Sequence, residues 1–118
     1  MNKSELVKGT LTTIILQLLS EHSRLYGYEI TQMVKEKTGG KMLLKEGSLY
    51  PALHKLQADG FIESEEVFMG KRVRKYYKLT KPGKAAAKAS VNELVEFMQT
   101  VYQLVLGEKN NGYVPVGR

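Results

Sequence analysis

The chain has 118 residues, room for one domain, with a formal charge of +6 and a 42% hydrophobic fraction. It contains no cysteine, which excludes disulfides, thiolate metal sites and a cysteine nucleophile. Its two histidines, His22 and His54, are too few for a histidine-rich metal centre, and no cofactor or metal is expected.

The first predicted element is a helix over residues 4–22, with Ser4 as its cap. Val7, Leu11, Ile14, Ile15 and Leu18 recur on one face of it at helical spacing, the pattern of a buried stripe. The apolar run over 11–19 is interrupted by Thr12, Thr13 and Gln17 and is too short for a bilayer, which needs roughly 20 apolar residues. With no targeting segment in view, a soluble cytoplasmic protein without membrane contact is expected. Residues 23–26 read as a short connection. A second helix follows over 27–37, with Ile30, Met33 and Val34 on one side, stopped by Thr38, Gly39 and Gly40.

Residues 42–45 read as an extended link. A third helix is predicted over 47–59, capped by Ser48, with Pro51 in its first turn, where a missing N–H costs nothing. Leu49, Leu53 and Leu56 mark its inner face, which leaves Ser48, Ala52 and Lys55 outward. His54 flanks the buried face and reads as a packed side chain. Beyond Gly60 the period changes to two. Strands over 61–68 and 73–79, joined by a turn containing Gly70, make a β-hairpin.

Thr80 caps a last helix, with Pro82 in its first turn, that runs to Leu106 before Gly107. At ~1.5 Å per residue this helix is a rod of roughly 39 Å, longer than a small domain needs for its own core. Ala87, Val91, Leu94, Met98, Val101 and Val105 follow one another at intervals of four and three, a short heptad seam. An isolated rod with this much apolar face is an aggregation hazard, so pairing with a second copy is expected through Val91, Leu94, Met98, Val101 and Val105. The expected organisation is a unit of three helices and a hairpin over 1–80, a pairing helix over 81–107 and a frayed tail over 108–118.

The charge is not evenly spread. Residues 67–92 hold no acid and eight bases, whereas the rest of the chain has ten bases against twelve acids. A concentrated basic segment points to a polyanion, with a solvated lysine-rich face as the alternative. Three helices followed by a hairpin make a winged helix-turn-helix, mainly α with a small β-hairpin. In that arrangement the third helix enters the major groove of double-stranded DNA and the hairpin tip reaches the backbone or the adjacent minor groove. Lys71 and Arg72 sit at the expected tip. Arg74 and Lys75 alternate faces, so at most one of them points to DNA. Lys55 suits a phosphate or guanine contact. Tyr50 either touches DNA or packs on the hairpin, and Lys45, Ser48 and Pro51 frame the same helix start. Lys81, Lys84 and Lys88 read as solvated.

The run from Glu46 to Ile62, Glu-Gly-Ser-Leu-Tyr-Pro-Ala-Leu-His-Lys-Leu-Gln-Ala-Asp-Gly-Phe-Ile, resembles the signature of the PadR family of winged-helix repressors. The run from Arg74 to Thr80, followed by Gly83, resembles that family's second wing strand and the start of its dimerisation helix. Tyr26-Gly27-Tyr28-Glu29-Ile30 resembles its second helix. The single C-terminal helix is similar to the compact subfamily. The resemblance implies a homodimeric repressor at an inverted-repeat operator, released in some members by a small apolar or aromatic effector. Some compact members stack flat ligands on a tryptophan between the pairing helices, and this chain has no tryptophan. The rival readings are a winged-helix protein–protein adaptor with only non-specific nucleic-acid affinity, a peripheral membrane binder, and an enzyme. Two isolated histidines and the absence of a glycine-rich phosphate loop speak against catalysis, and the hairpin lacks an apolar insertion face for a membrane.

Overall fold

A computed structural model describes residues 3–107, with side chains from residue 6 onward. The elements run α1 (Lys3–Ser20), β1 (Leu25–Tyr26), α2 (Gly27–Lys37), α3 (Glu46–Ala58), β2 (Ile62–Met69), β3 (Arg72–Leu79) and α4 (Lys81–Leu106). The tail expected over 108–118 lies outside the described residues.

The apolar stripe of α1 does what its spacing demands. Val7, Leu11, Ile15 and Leu18 are buried, joined by Leu16 and Leu19. Opposite them lie Ile30 and Val34 of α2 and Leu49, Leu53 and Leu56 of α3. Each such side chain withdrawn from water contributes about 1.5–3 kcal/mol. Ile62 of β2 and Tyr77 of β3 close the core on the sheet side.

Several boundaries differ from the sequence expectation. Helix α1 already includes Lys3, so Ser4 lies inside it and is not its cap. Helix α3 begins at Glu46 with Lys45 as the cap residue, whose carbonyl accepts from the N–H groups of Ser48 and Leu49 at 3.0 and 2.9 Å. Ser48 is therefore the third helical residue, not the cap. Pro51 falls in the second turn, where its missing N–H leaves the Gly47 carbonyl without a helical donor. Gly47 is exposed, so water can serve that carbonyl. His54 is exposed, not packed.

The connection over 23–26 holds a third strand that the sequence reading missed. Strand β1 is only two residues long and pairs antiparallel with β3, Leu25 against Tyr77 and Tyr26 against Tyr76. The sheet order is β1-β3-β2, so β3 is central at its base and an edge towards the tip. Two residues cannot display the alternation that identifies a strand from sequence. The hairpin turn itself is tight. Gly70 adopts φ +65°, the glycine-first geometry of a two-residue hairpin loop, and Met69 pairs with Arg72 around it.

The start of α4 is pinned to the end of α3. Thr80 Oγ1 accepts from the Gly83 N–H at 3.1 Å and donates to the Gly60 carbonyl at 2.6 Å, while the Thr80 N–H donates to the Phe61 carbonyl at 3.0 Å. Gly83 is buried so closely against the Phe61 backbone carbonyl that a Cβ at this position would overlap it. From this anchor α4 runs along α1, burying Ala87 and half-burying Ser90, Val91 and Leu94. Past Leu94 every residue to Leu106 is exposed, and the molecule extends 65 Å along its longest axis.

Candidate nucleic-acid interface

A cleft of about 580 Å³ separates the far end of β3 from the start of α2 and α3. Arg72, Val73, Arg74 and Lys75 line one wall, and Tyr26, Gly27, Tyr28 and Tyr50 the other. The recognition-helix candidate and the wing thus share one opening, fixed by the buried Leu49 and Leu53 on one side and by the β2–β3 register on the other.

Tyr50 is 36% exposed. Its hydroxyl lies where a side chain on Gly27 would begin, 2.6 Å from the position of that Cβ. The glycine at the first residue of α2 is what admits the ring. Tyr50 packs on the start of α2, an arrangement between the two sequence readings, with one edge still presented to the cleft. Beside it, burial pushes the Tyr77 phenol up from its ordinary pKa, with Tyr50 adding to the shift. Tyr77 is therefore a neutral core residue at physiological pH.

The outward face of α3 carries Ser48, half-buried, with Pro51 and Lys55 exposed. The Lys55 ammonium reaches Asp59 Oδ2 at 3.2 Å, an exposed i,i+4 pair that solvent and salt weaken. Lys45 is exposed at the helix entrance, where it lines a second cleft of about 310 Å³ with Leu43, Leu44 and Ser48. At the tip, Lys71 and Arg72 are exposed, and among the described residues neither has an ion-pair partner.

The basic segment does not act as one block. On β2 three acids lie across from β3. Glu63 pairs with Lys78, their charged atoms 3.4 Å apart, and Glu66 stands opposite Lys75 in the register. Glu65 is bound at 2.7 Å by Arg24, whose hydrogen bond holds the carboxyl below its usual pKa. The base of the hairpin is thus largely neutralised, and the unbalanced charge is left at the turn. Lys75 shares the Tyr77 face of β3, its ammonium 5.8 Å from that ring. Arg74 lies on the opposite face. Its guanidinium sits 4.1 Å over the Tyr26 ring and donates to Tyr76 Oη at 3.4 Å, a bond that raises its pKa further.

Sequence reasoning missed Arg24 and Tyr26 as partners of the wing. Arg24 and Glu65 are 41 positions apart, and no local pattern links them. The close approaches at Gly27 and Gly83 carry no sequence signal beyond the glycine itself.

The family model for the transcriptional regulator PadR-like family matches residues 15–89, more than half of the chain. The chain belongs to this family. The matched region includes β1, α2, α3 and the hairpin, the elements that build the cleft, and runs on into the start of α4. An uncharacterized protein of Lysinibacillus sphaericus is 36% identical over 103 residues, covering 86% of this chain and 93% of its own length. The negative transcriptional regulator PadR of Bacillus subtilis is 39% identical over 71 residues, covering 59% of this chain and 38% of the longer relative. Among solved structures, a transcriptional regulator from Clostridium thermocellum superposes with a TM-score of 0.78 at 32% identity, covering 86% of this chain and 98% of the other. This PadR-like chain is a winged-helix transcriptional regulator and not an enzyme. Among the described residues no helix is long and apolar enough to cross a membrane.

Proposed function

We propose that this PadR-like regulator binds double-stranded DNA as a homodimer and represses transcription from an inverted-repeat operator. The observation that carries the reading is the common opening of α3 and the wing, with Arg72 on its wall and Lys71 exposed beside it at the tip. Residues 1–80 form the DNA-binding unit and 81–107 the pairing helix. Lys55 and Ser48, with Lys45, Tyr50 and Pro51 around the helix start, meet the major groove and its flanking phosphates. Lys71 and Arg72, with Lys75 behind them, neutralise phosphates beside it. Met98, Val101 and Val105 extend the seam begun by Val91 and Leu94 and meet the same helix of a second protomer. A two-fold axis through that seam sets the two α3 helices about 34 Å apart, one turn of DNA.

A cleft of about 270 Å³ between α1 and α4, lined by Ile14, Leu18, Val91, Leu94 and Val95, suits a small apolar or aromatic effector. A ligand seated there would shift the two DNA-binding units relative to one another and release DNA.

A gel shift tests the reading, with DNA from upstream of the chain's own gene against scrambled DNA across a salt series. Specific binding predicts a preference for the upstream DNA and an affinity that falls steeply with salt. Equal affinity for both would favour the adaptor reading, in which nucleic acid is held only through charge.

A further inference from the structure

Arg74 stands in the basic segment, yet its guanidinium is already engaged. The outer face of the sheet carries two crossed arginine–tyrosine pairs. Arg24, next to β1, lies 4.1 Å over the ring of Tyr76 on β3. Arg74, on β3, lies 4.1 Å over the ring of Tyr26 on β1. The two rings meet edge to face, their centroids 5.4 Å apart at 76°. Both ends of the stack are tied. Arg24 binds Glu65 on β2 at 2.7 Å, and Arg74 donates to Tyr76 Oη. Tyr26 is in turn the cap residue of α2, its N–H donating to Glu29 Oε1 at 3.1 Å, and Glu29 adds to the attraction on Arg74.

We propose that Arg74 is a positioning residue, not a DNA contact, and that with Tyr26, Tyr76 and Arg24 it forms a strut that sets the angle of the wing against α2 and α3. The physical need is plain. Strand β1 gives β3 only two residues of pairing, and beyond Tyr76 the tip side of β3 has no backbone partner on that edge. A long two-stranded ribbon held at one end twists and bends freely. The stacked guanidinium groups span the junction diagonally, one from the residue before β1 and one from β3, and resist that bending. Attraction between a cation and an aromatic face supplies the force. Arg74 in this position keeps Lys71 and Arg72 at a fixed distance from α3, as two-point contact with DNA requires.

This inference rests on the DNA-binding reading, but its test separates the two. Upstream DNA is titrated with the wild type, Arg74→Ala and Tyr26→Leu across a salt series. If Arg74 contacted a phosphate directly, its removal would lower the salt slope by about one, and Tyr26→Leu, which removes no charge, would leave the slope unchanged. The strut predicts that Tyr26→Leu weakens binding about tenfold and lowers the slope by one or more, as Arg74→Ala does. It also predicts that the double variant is no weaker than either single one. A wild-type slope in Tyr26→Leu beside a lowered slope in Arg74→Ala overturns the proposal. Tyr76→Phe, which deletes only the hydroxyl that accepts from Arg74, is the milder control should Tyr26→Leu unfold, and a smaller drop in slope is expected from it. Amide hydrogen exchange of free protein gives the DNA-independent arm. Exchange at Val67, Phe68 and Val73 should quicken in Arg74→Ala while that of Ile30 and Leu53 stays slow, even if the DNA reading fails. Unchanged exchange in the wing also overturns the strut.

Discussion

Over residues 83–94, α4 lies against α1; over 95–106 the same helix carries the same stripe into open solvent. Gly83, Ala87, Val91 and Leu94 sit on the covered stretch, and Met98, Val101 and Val105 continue their spacing as exposed side chains. Leu104 and Val105 are 77% and 71% exposed. One apolar pattern therefore does two different jobs. The covered half begins with Gly83 and Ala87, small residues that let a neighbouring backbone approach closely. The open half carries Met98, Val101 and Val105, side chains that suit a partner bringing its own. An apolar periodicity identifies a face that must be covered but does not name what covers it.

The largest expected effect falls on the covered half. Gly83→Ala forces a methyl group against the Phe61 carbonyl, a backbone atom that cannot rotate away. A loss of about 3 kcal/mol in unfolding free energy is expected, read from denaturant melts at fixed protein concentration. An unchanged midpoint would mean that α4 is less tightly seated than it is here.

The open half is broken differently. Met98→Glu combined with Val105→Glu places charges in the seam where two helices would meet. Sedimentation at tens of micromolar should then give a monomer, while hydrogen-exchange protection in residues 83–94 persists. Specific DNA binding should fall by at least about a hundredfold, since one half-site contributes only part of the affinity. A variant that remains dimeric would move the interface away from this face.

A matched pair sharpens the contrast. Val91→Ala removes two methyl groups from a half-buried site beside α1 and should cost about 1 kcal/mol of stability at any protein concentration. Val101→Ala makes the same change on the open half. Its effect should vanish on dilution, because the face it alters is covered only in the dimer. Melting curves of the two variants over a hundredfold concentration range distinguish them. Equal behaviour would mean that the halves are not different after all.

The smallest effect belongs to Leu104→Gln. Leu104 lies at the margin of the stripe and is among the most exposed apolar residues of the chain. A change within about 0.5 kcal/mol is expected in melting, with little effect on dimer dissociation. A large loss of pairing would widen the interface to include this margin and Phe97, which is 65% exposed.

Much of the fold is legible from residue spacing. The stripe of α1, the limits of α2, the inward leucines of α3 and the glycine turn of the hairpin all follow from periods of 3.6 and 2. Local signals fail where a competing interaction is not local. Ser48 has the chemistry of a cap, yet the chain enters α3 three residues earlier through Lys45. Leu25 and Tyr26 form a strand only because β3, some fifty positions on, is there to pair with them. The candidate site divides in the same way. Lys71 and Arg72 are where the turn chemistry places them, but the neutralised base of the wing depends on β2 acids that lie outside the basic segment.

The sequence by itself determined the order of elements, the inner face of each helix and the concentration of eight bases in one acid-free stretch, because each is set by the identities of near neighbours. The tertiary structure alone decided which of those charges stay free. Strand pairing sets acids against Lys75 and Lys78, and the Tyr26 ring takes the guanidinium of Arg74. It also decided where α4 parts from its own domain, since the part of α1 that lies beside Val91 and Leu94 covers the helix no further and every residue from Val95 to Leu106 is exposed. Charge and apolarity are properties of residues, whereas their availability depends on what the folded chain places beside them.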